Sequence, residues 1–175
     1  MRRLINVVII ILVICLGAFV YYTYYTIPKT AYMDTVKVYD SFELKKELGQ
    51  KLIRVKQARK KILDSLMLDL KILSKDIEIE SENKENKKKI FHVMRDQYLL
   101  KEQRFKEDNQ VLTQKYNDQI WAQLNQYIKD YGERHNYQYI FGTTGQGTLM
   151  YAAKSYNVTD DILIYVNKRY NGEKK

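Results

Sequence analysis

Apolar residues are distributed in three different ways along this 175-residue chain. From Leu4 to Tyr22 they are almost continuous, broken in character only by Asn6 and Gly17. From Val36 they become periodic. Leu44, Leu48, Leu52, Val55, Ile62, Leu66, Leu70, Leu73 and Ile77 recur at steps of three, four and seven, an a/d-type stripe on one face of a long helix. Gly49 interrupts this arm mildly and predicts a bend or a joint between two helices. The polar stretch 81–86, S-E-N-K-E-N, predicts the tip of a helical hairpin. A second stripe follows: Ile90, Met94, Tyr98, Phe105, Leu112, Tyr116, Ile120, Leu124, Ile128 and Tyr131, with Trp121 beside it. It carries the second arm to about Arg134. Each arm should reach ~70 Å at ~1.5 Å per residue, and such lengths suggest a coiled coil.

Two short segments flank the arms. Thr30 to Thr35 is strand-like, with an acidic end at Asp34. Tyr137 to Phe141 and Leu149 to Ala153 predict a β-hairpin around the turn G-T-T-G-Q-G at 142–147. Thr159 is the expected N-cap of a final helix, with Ile162, Leu163, Val166 and Tyr170 on its apolar face and Gly172 at its end. The fold class is therefore mostly α with a small β part. A long antiparallel coiled-coil hairpin stands on a small sheet, preceded by a transmembrane helix. The expected division is 1–28 as an anchor or signal sequence and 36–134 as the hairpin. Residues 29–35 with 135–175 form a β-rich oligomerisation body with a short terminal helix. Three short strands make a poor core alone, and pooling strands from several copies would repair this.

Composition sharpens parts of this picture. One proline and seven glycines in the whole chain favour long uninterrupted helices. Sixteen tyrosines suit half-buried surfaces and interfaces. The formal charge of +9 points to an anionic partner: nucleic acid, anionic lipid or acidic polypeptide. No nucleic-acid-reading element accompanies it, so no nucleic-acid partner is expected. The single cysteine, Cys15, lies in the first apolar run, which excludes disulfides or cysteine-ligated metal elsewhere.

The first run sets the compartment. A bilayer core of ~30 Å takes about 20 apolar residues. Tyr21, Tyr22, Tyr24 and Tyr25 stand where an interfacial aromatic belt belongs. Arg2 and Arg3 would hold the N-terminus in the cytoplasm, leaving everything after Pro28 outside. A cleaved signal peptide competes, although the run is long for one and Gly17-Ala18-Phe19 makes a poor cleavage site. A lipoprotein reading at Cys15 meets a bulky Ile14, where processing wants a small residue. A buried core helix is disfavoured by the two leading arginines.

The segments A-Y-M-D-T-V-K-V-Y at 31–39, Y-Q-Y-I-F-G-T-T-G-Q-G-T-L-M-Y-A-A at 137–153 and Y-N-V-T-D-D-I-L-I-Y-V-N at 156–167 resemble, in this order around a long charged hairpin, the Skp/OmpH family of periplasmic chaperones for outer-membrane proteins. The likeness runs from Ala31 to about Tyr170. It implies a homotrimer whose strands form a central barrel-like body. Three hairpins would project from it around a cavity for an unfolded client. Soluble members lose a signal peptide, whereas this chain is expected to keep an inner-membrane anchor, with its bulk in the periplasm.

Candidate client-binding residues are the acid-free run Lys51, Arg54, Lys56, Arg59, Lys60 and Lys61, and the tip cluster Lys84, Lys87, Lys88 and Lys89. Met67, Phe91 and Met94, with Phe105, are candidate flexible apolar contacts. For each the competing role is structural: a solvated face, a solubilising turn, or packing between the arms. Candidate oligomerisation residues are Ala31, Tyr32, Met33, Ile140, Phe141, Leu149, Met150, Tyr151, Ile162 and Val166. The glycine turn lacks the Lys-Ser/Thr of a phosphate loop, and strand rather than helix follows it. His92 and His135 lie at opposite ends of one arm, and Asp160-Asp161 reads as helix-start electrostatics. No catalytic, cofactor or metal site is expected. The function these readings converge on is an ATP-independent holdase; the alternative is a membrane-anchored spacer or adaptor in an envelope assembly.

Overall fold

The computed structural model describes residues 2–79, 83–145, 147 and 149–172. Helix α1 spans Arg2–Thr26 and strand β1 Thr30–Asp34. Helices α2 (Thr35–Ser41), α3 (Glu43–Ile79) and α4 (Lys84–Arg134) follow. Strand β2 (Tyr139–Thr143), a 3-10 turn at Lys154–Tyr156 and helix α5 (Thr159–Tyr170) complete the chain. The molecule is mostly helical with one small two-stranded sheet.

Helices α3 and α4 pack as two arms. Because the arms run up and back, β2 arrives beside β1 and pairs with it in parallel, Thr30 opposite Tyr139 through Asp34 opposite Thr143. A parallel pair requires such a crossover connection. The expected β-hairpin at 137–153 is thus corrected: β2 pairs with β1, and Leu149 to Ala153 is not a strand. The return of the chain along α4 brings β2 beside β1, and the opposite edge of β1 is met by the segment that precedes α5. Tyr32 bridges Asn157, and the Val158 N–H donates to the Tyr32 carbonyl at 2.9 Å. Residue 146 of the glycine turn, residue 148 just after it, and 81–82 of the expected tip lie outside the described residues.

The core sits at the base of the hairpin. Ala31 and Met33 of β1, Val38 of α2, Phe42, Leu44 and Leu48, Ile120, Leu124 and Tyr131 of α4, and Val158, Ile162 and Val166 of the last segment form one buried cluster. The helix joint falls at Phe42 and not at Gly49, which lies within the unbroken α3. Phe42 leaves the helical conformation (φ −70, ψ 128) and drives its ring to full burial against Tyr127 and Tyr170. Burial of that ring outweighs the loss of one helical turn; Gly49 offers no side chain to bury, and a Cβ placed there would meet nothing within 4 Å.

The break leaves the first N–H groups of α3 without partners, and α5 supplies one. The Asn167 Oδ1 accepts from the Glu43 N–H at 2.9 Å while its Nδ2 donates to the Ser41 carbonyl at 3.3 Å. Arg169 reaches Asp130 on α4 at 3.2 Å, and the Tyr170 hydroxyl donates to Glu47 on α3. Helix α5 therefore clamps both arms to the sheet. Its expected N-cap is also corrected. The cap residue is Val158, and Thr159 is the first helical residue, buried, accepting from the Asp34 N–H at 2.9 Å. Asn157 does the capping work, accepting from the Thr159 N–H at 2.9 Å. Gly142 has no room for a side chain, since a Cβ would lie 2.6 Å from the Thr35 hydroxyl oxygen.

Two tyrosines tie this base to pH. Burial pushes the Tyr131 phenol up to about 12, and the hydrogen bond to Glu47 pushes Tyr170 up to about 12. Both are raised above the ordinary value near 10, so the unfolded chain releases these protons first as pH climbs. Stability is full below pH 10 and falls as pH rises towards 12. Thermal melts should drop steeply across that window, and Tyr170→Phe should remove part of the drop. An unchanged melting temperature between pH 9.5 and 11.5 would contradict this.

Helix α1 would be ~37 Å long at 1.5 Å per residue. Its side chains from Val8 to Tyr22 are apolar or aromatic and exposed. Among the described residues, no helix is long and apolar enough to cross a membrane. The expected transmembrane helix is therefore not seen among them.

Candidate functional site

The arms are not zipped by apolar contacts throughout. Near the base Leu44 and Leu48 face Ile120 and Leu124. Towards the tip Leu63, Leu66, Leu70, Leu73 and Ile77 of α3 turn inward, as do Phe91, Met94 and Tyr98 of α4. Between these zones Leu52, Val55, Phe105, Leu112 and Tyr116 stay half-buried, but one layer of the seam is polar. Arg59, a candidate for client contact with a solvated face as the competing role, turns into it with only 22% of its side chain exposed. Its Nη1 donates to the Asn109 Oδ1 at 2.5 Å, its Nη2 lies 3.4 Å from Asp108, and its guanidinium rests over the Phe105 ring at 5.4 Å. Thr113 donates back to the Asn109 carbonyl at 2.7 Å, a bond that tends to bend helices. Here the arms flank an open groove of about 680 Å³.

Asn109 and Asp108 were not among the expected site residues, but a signal for them was in the pattern. The first stripe steps seven residues from Val55 to Ile62, and the second takes two such steps, from Tyr98 to Phe105 and from Phe105 to Leu112; the step at Val55 and the second step of α4 are the ones that oppose each other. Each omits one inward position, and the omitted positions, Arg59 and Asn109, meet across the hairpin. Two details of the stripes are corrected. Ile62 and Ile90 are 44% and 46% exposed, and Leu63 and Phe91 take the inward places. The inward places run Arg59, Leu63, Leu66 on α3 and Phe91, Met94, Tyr98 on α4, steps of three and four that keep one helix face.

The remaining expected cations divide into two kinds. Lys51 is 2.6 Å from Glu47 one turn before it, which lowers the carboxyl of Glu47 and raises the ammonium of Lys51. Lys88 is 2.9 Å from Glu85. Arg54, Lys56, Lys60, Lys61, Lys84 and Lys89 are exposed, and Lys87 is half-buried. Of the apolar candidates Met67 is 48% exposed, whereas Phe91, Met94 and Phe105 are half-buried in the seam. The structure does not gather the two groups: the run at 51–61 lies in the lower half of the arms and the cluster at 84–89 at the top of α4. His92 and His135 stay apart at opposite ends of α4. Among the described residues, no group of three or more His, Cys, Asp and Glu could hold a metal ion.

The expected oligomerisation residues also divide. Ala31, Met33, Ile162 and Val166 are buried in the chain's own core, and Ile140 packs against it. Alternation along β1 and the apolar face of α5 already use them inside one copy. Phe141 is 50% exposed and stacks on Tyr139 at 6.1 Å along the outer edge of β2. Met150 and Tyr151 are 87% and 85% exposed. Tyr32, Leu149 and Phe141, with Ala152, Ala153 and Tyr156, line a cavity of about 230 Å³ beside this patch.

Similarity to known proteins matches this anatomy. No curated protein matches the chain. A solved structure from Caulobacter crescentus CB15, described as a candidate outer membrane chaperone (OmpH-like), superposes with a TM-score of 0.71 over 82% of this chain and 86% of that one. At 15% identity, that likeness speaks for the fold alone. The family model for outer membrane protein (OmpH-like) matches residues 29–165, which is the sheet, both arms and most of α5. With the model covering every element after α1, the chain belongs to the OmpH-like family.

Proposed function

We infer that this protein is an ATP-independent holdase of the cell envelope, which binds unfolded outer-membrane or envelope proteins between helical arms. The single observation that carries the reading is the split between the two ends of the molecule. The base has a well-packed core but leaves Phe141, Met150 and Tyr151 exposed beside an unpaired strand edge. The arms are long, cationic and only partly zipped. A patch of that kind calls for further copies of the chain, and arms of that kind suit many weak contacts. Three copies would pool their strands into one body, with the hairpins at 36–134 as coiled-coil tentacles around a shared cavity. Residues 29–35 and 135–175 would be the body, and the exposed lysines and Met67 would meet the client. Helix α1 would hold the assembly at the inner membrane, the bulk lying in the periplasm.

A spacer or adaptor role differs in breadth of binding. The immobilised full chain should retain several unrelated urea-unfolded β-barrel proteins and release each when it has folded. Retention of one folded envelope protein, and of no unfolded chain, would favour the adaptor.

A further inference from the structure

We propose that the groove at mid-arm is a binding site for an extended acidic polypeptide segment, one whose carboxylates alternate with apolar side chains; this deepens the holdase reading and rests on it. The first observation is charge. Lys56, Lys60 and Lys106 stand together on the rim, and none has a carboxylate partner among the described residues. The acid on the same rim, Glu102, accepts from the Tyr98 hydroxyl at 3.3 Å. The rim therefore carries three lysines against the one carboxylate of Glu102, a net positive strip.

The second observation is spacing. Lys56 and Lys60 are one helical turn apart, a rise of ~6 Å. Same-face side chains of an extended chain recur every ~6.6 Å. An extended segment laid along α3 thus brings successive same-face carboxylates to successive lysines, while a compact anion would reach only one.

The third observation is the lining. Phe105 and Leu63 give the groove an apolar floor for the opposite face of such a segment. Gln110 and Gln114 on α4 offer amide donors and acceptors at its side. An unfolded chain carries unpaired backbone N–H and C=O groups that need such partners once water is displaced. Long lysine stems can lie along the floor and keep their charges at the rim. Arg59 is spent on Asn109 and Asp108 and acts here as a positioning residue that holds the arms apart at this level.

The test uses the full chain in a non-ionic detergent and a fluorescently labelled peptide of alternating Glu and Val, read by anisotropy at low salt. The combined Lys56→Glu, Lys60→Glu and Lys106→Glu variant should bind it at least ~tenfold more weakly. A control that reverses Lys71, Lys101 and Lys115, equal in charge but off the groove, should lose no more than about threefold. A peptide with its Glu and Val in separate blocks should bind the wild type several-fold more weakly than the alternating one. Helicity should be the same in all three proteins. Equal weakening by the control, or equal binding of the alternating and block peptides, would overturn the site and leave a diffuse charge effect. Anionic lipid vesicles that abolish peptide binding, while the peptide itself shows no preference for alternation, would overturn it in favour of a lipid surface. Suppression of client aggregation that survives in the groove variant would also sink the site yet leave the holdase reading intact. Failure of the wild type to suppress aggregation would remove that reading instead.

Discussion

Replacing Phe42 by alanine should cost about 3–5 kcal/mol, near the upper end for a single core substitution. The ring is fully buried, makes edge contacts with Tyr127 at 6.2 Å and Tyr170 at 5.8 Å, and belongs to three elements at once. It ends α2, precedes α3, and lies under the clamp made by α5. Its removal leaves a cavity that the surrounding elements cannot close without moving the arm. For a chain of this size a loss of that order lowers the melting temperature by roughly 10 °C or more at fixed protein concentration. Ile62→Ala, in the middle of the same arm but 44% exposed, should cost well under half as much. Equal effects at the two positions would mean that the base is not the stability centre of the hairpin.

The second large effect concerns the exposed edge. Phe141→Lys combined with Met150→Lys should convert a multi-copy assembly into single chains, with little change in helix content. Fully burying an aromatic or methionine side chain is worth ~1.5–3 kcal/mol, and each copy would bury both. A lysine in either place forfeits that gain and adds a charge without a partner at the contact. Neither residue belongs to the chain's own buried core, so each copy should stay folded. Light scattering of the full chain in detergent should give three copies for the wild type and one for the variant. An unchanged mass would place the contact elsewhere on the molecule. An unfolded variant would show that these residues support the base and not the assembly.

Much of this anatomy was legible in the sequence because it rests on periodicity. Stripes at helical spacing located both arms, and strand-like composition located β1 and β2. The sequence could not show that the edge of β1 beside Tyr32 would be taken by Asn157, because that edge is closed by residues 125 positions away. Residues 149–153 have strand-like composition and form no strand, since β2 takes β1 as its partner. The joint at Phe42 was missed for a similar reason. Local propensity singled out Gly49, but the reward for breaking the helix lies in Tyr127 and Tyr170, which only the folded chain brings near.

The candidate site was half legible. Residue types identified a basic run at 51–61, but a lysine and an arginine are equivalent in a charge count. They differ in the fold. Arg59 can offer a flat guanidinium to Asn109, Asp108 and the Phe105 face together, so it leaves the surface, while Lys56 and Lys60 keep their charges at the rim. The same turn of helix thus supplies a structural plug and two unpaired cations. The mirrored seven-residue steps in the two stripes were the sequence's only trace of it.

The most direct measurement of the central claim is light scattering from an unfolded β-barrel membrane protein diluted out of urea, with and without the full chain and with no nucleotide present. The account predicts that aggregation is suppressed once the chain's assembly is equimolar with the client, and that suppression weakens as salt screens the arms. Unaltered aggregation at that ratio, with the chain folded and assembled, would contradict it.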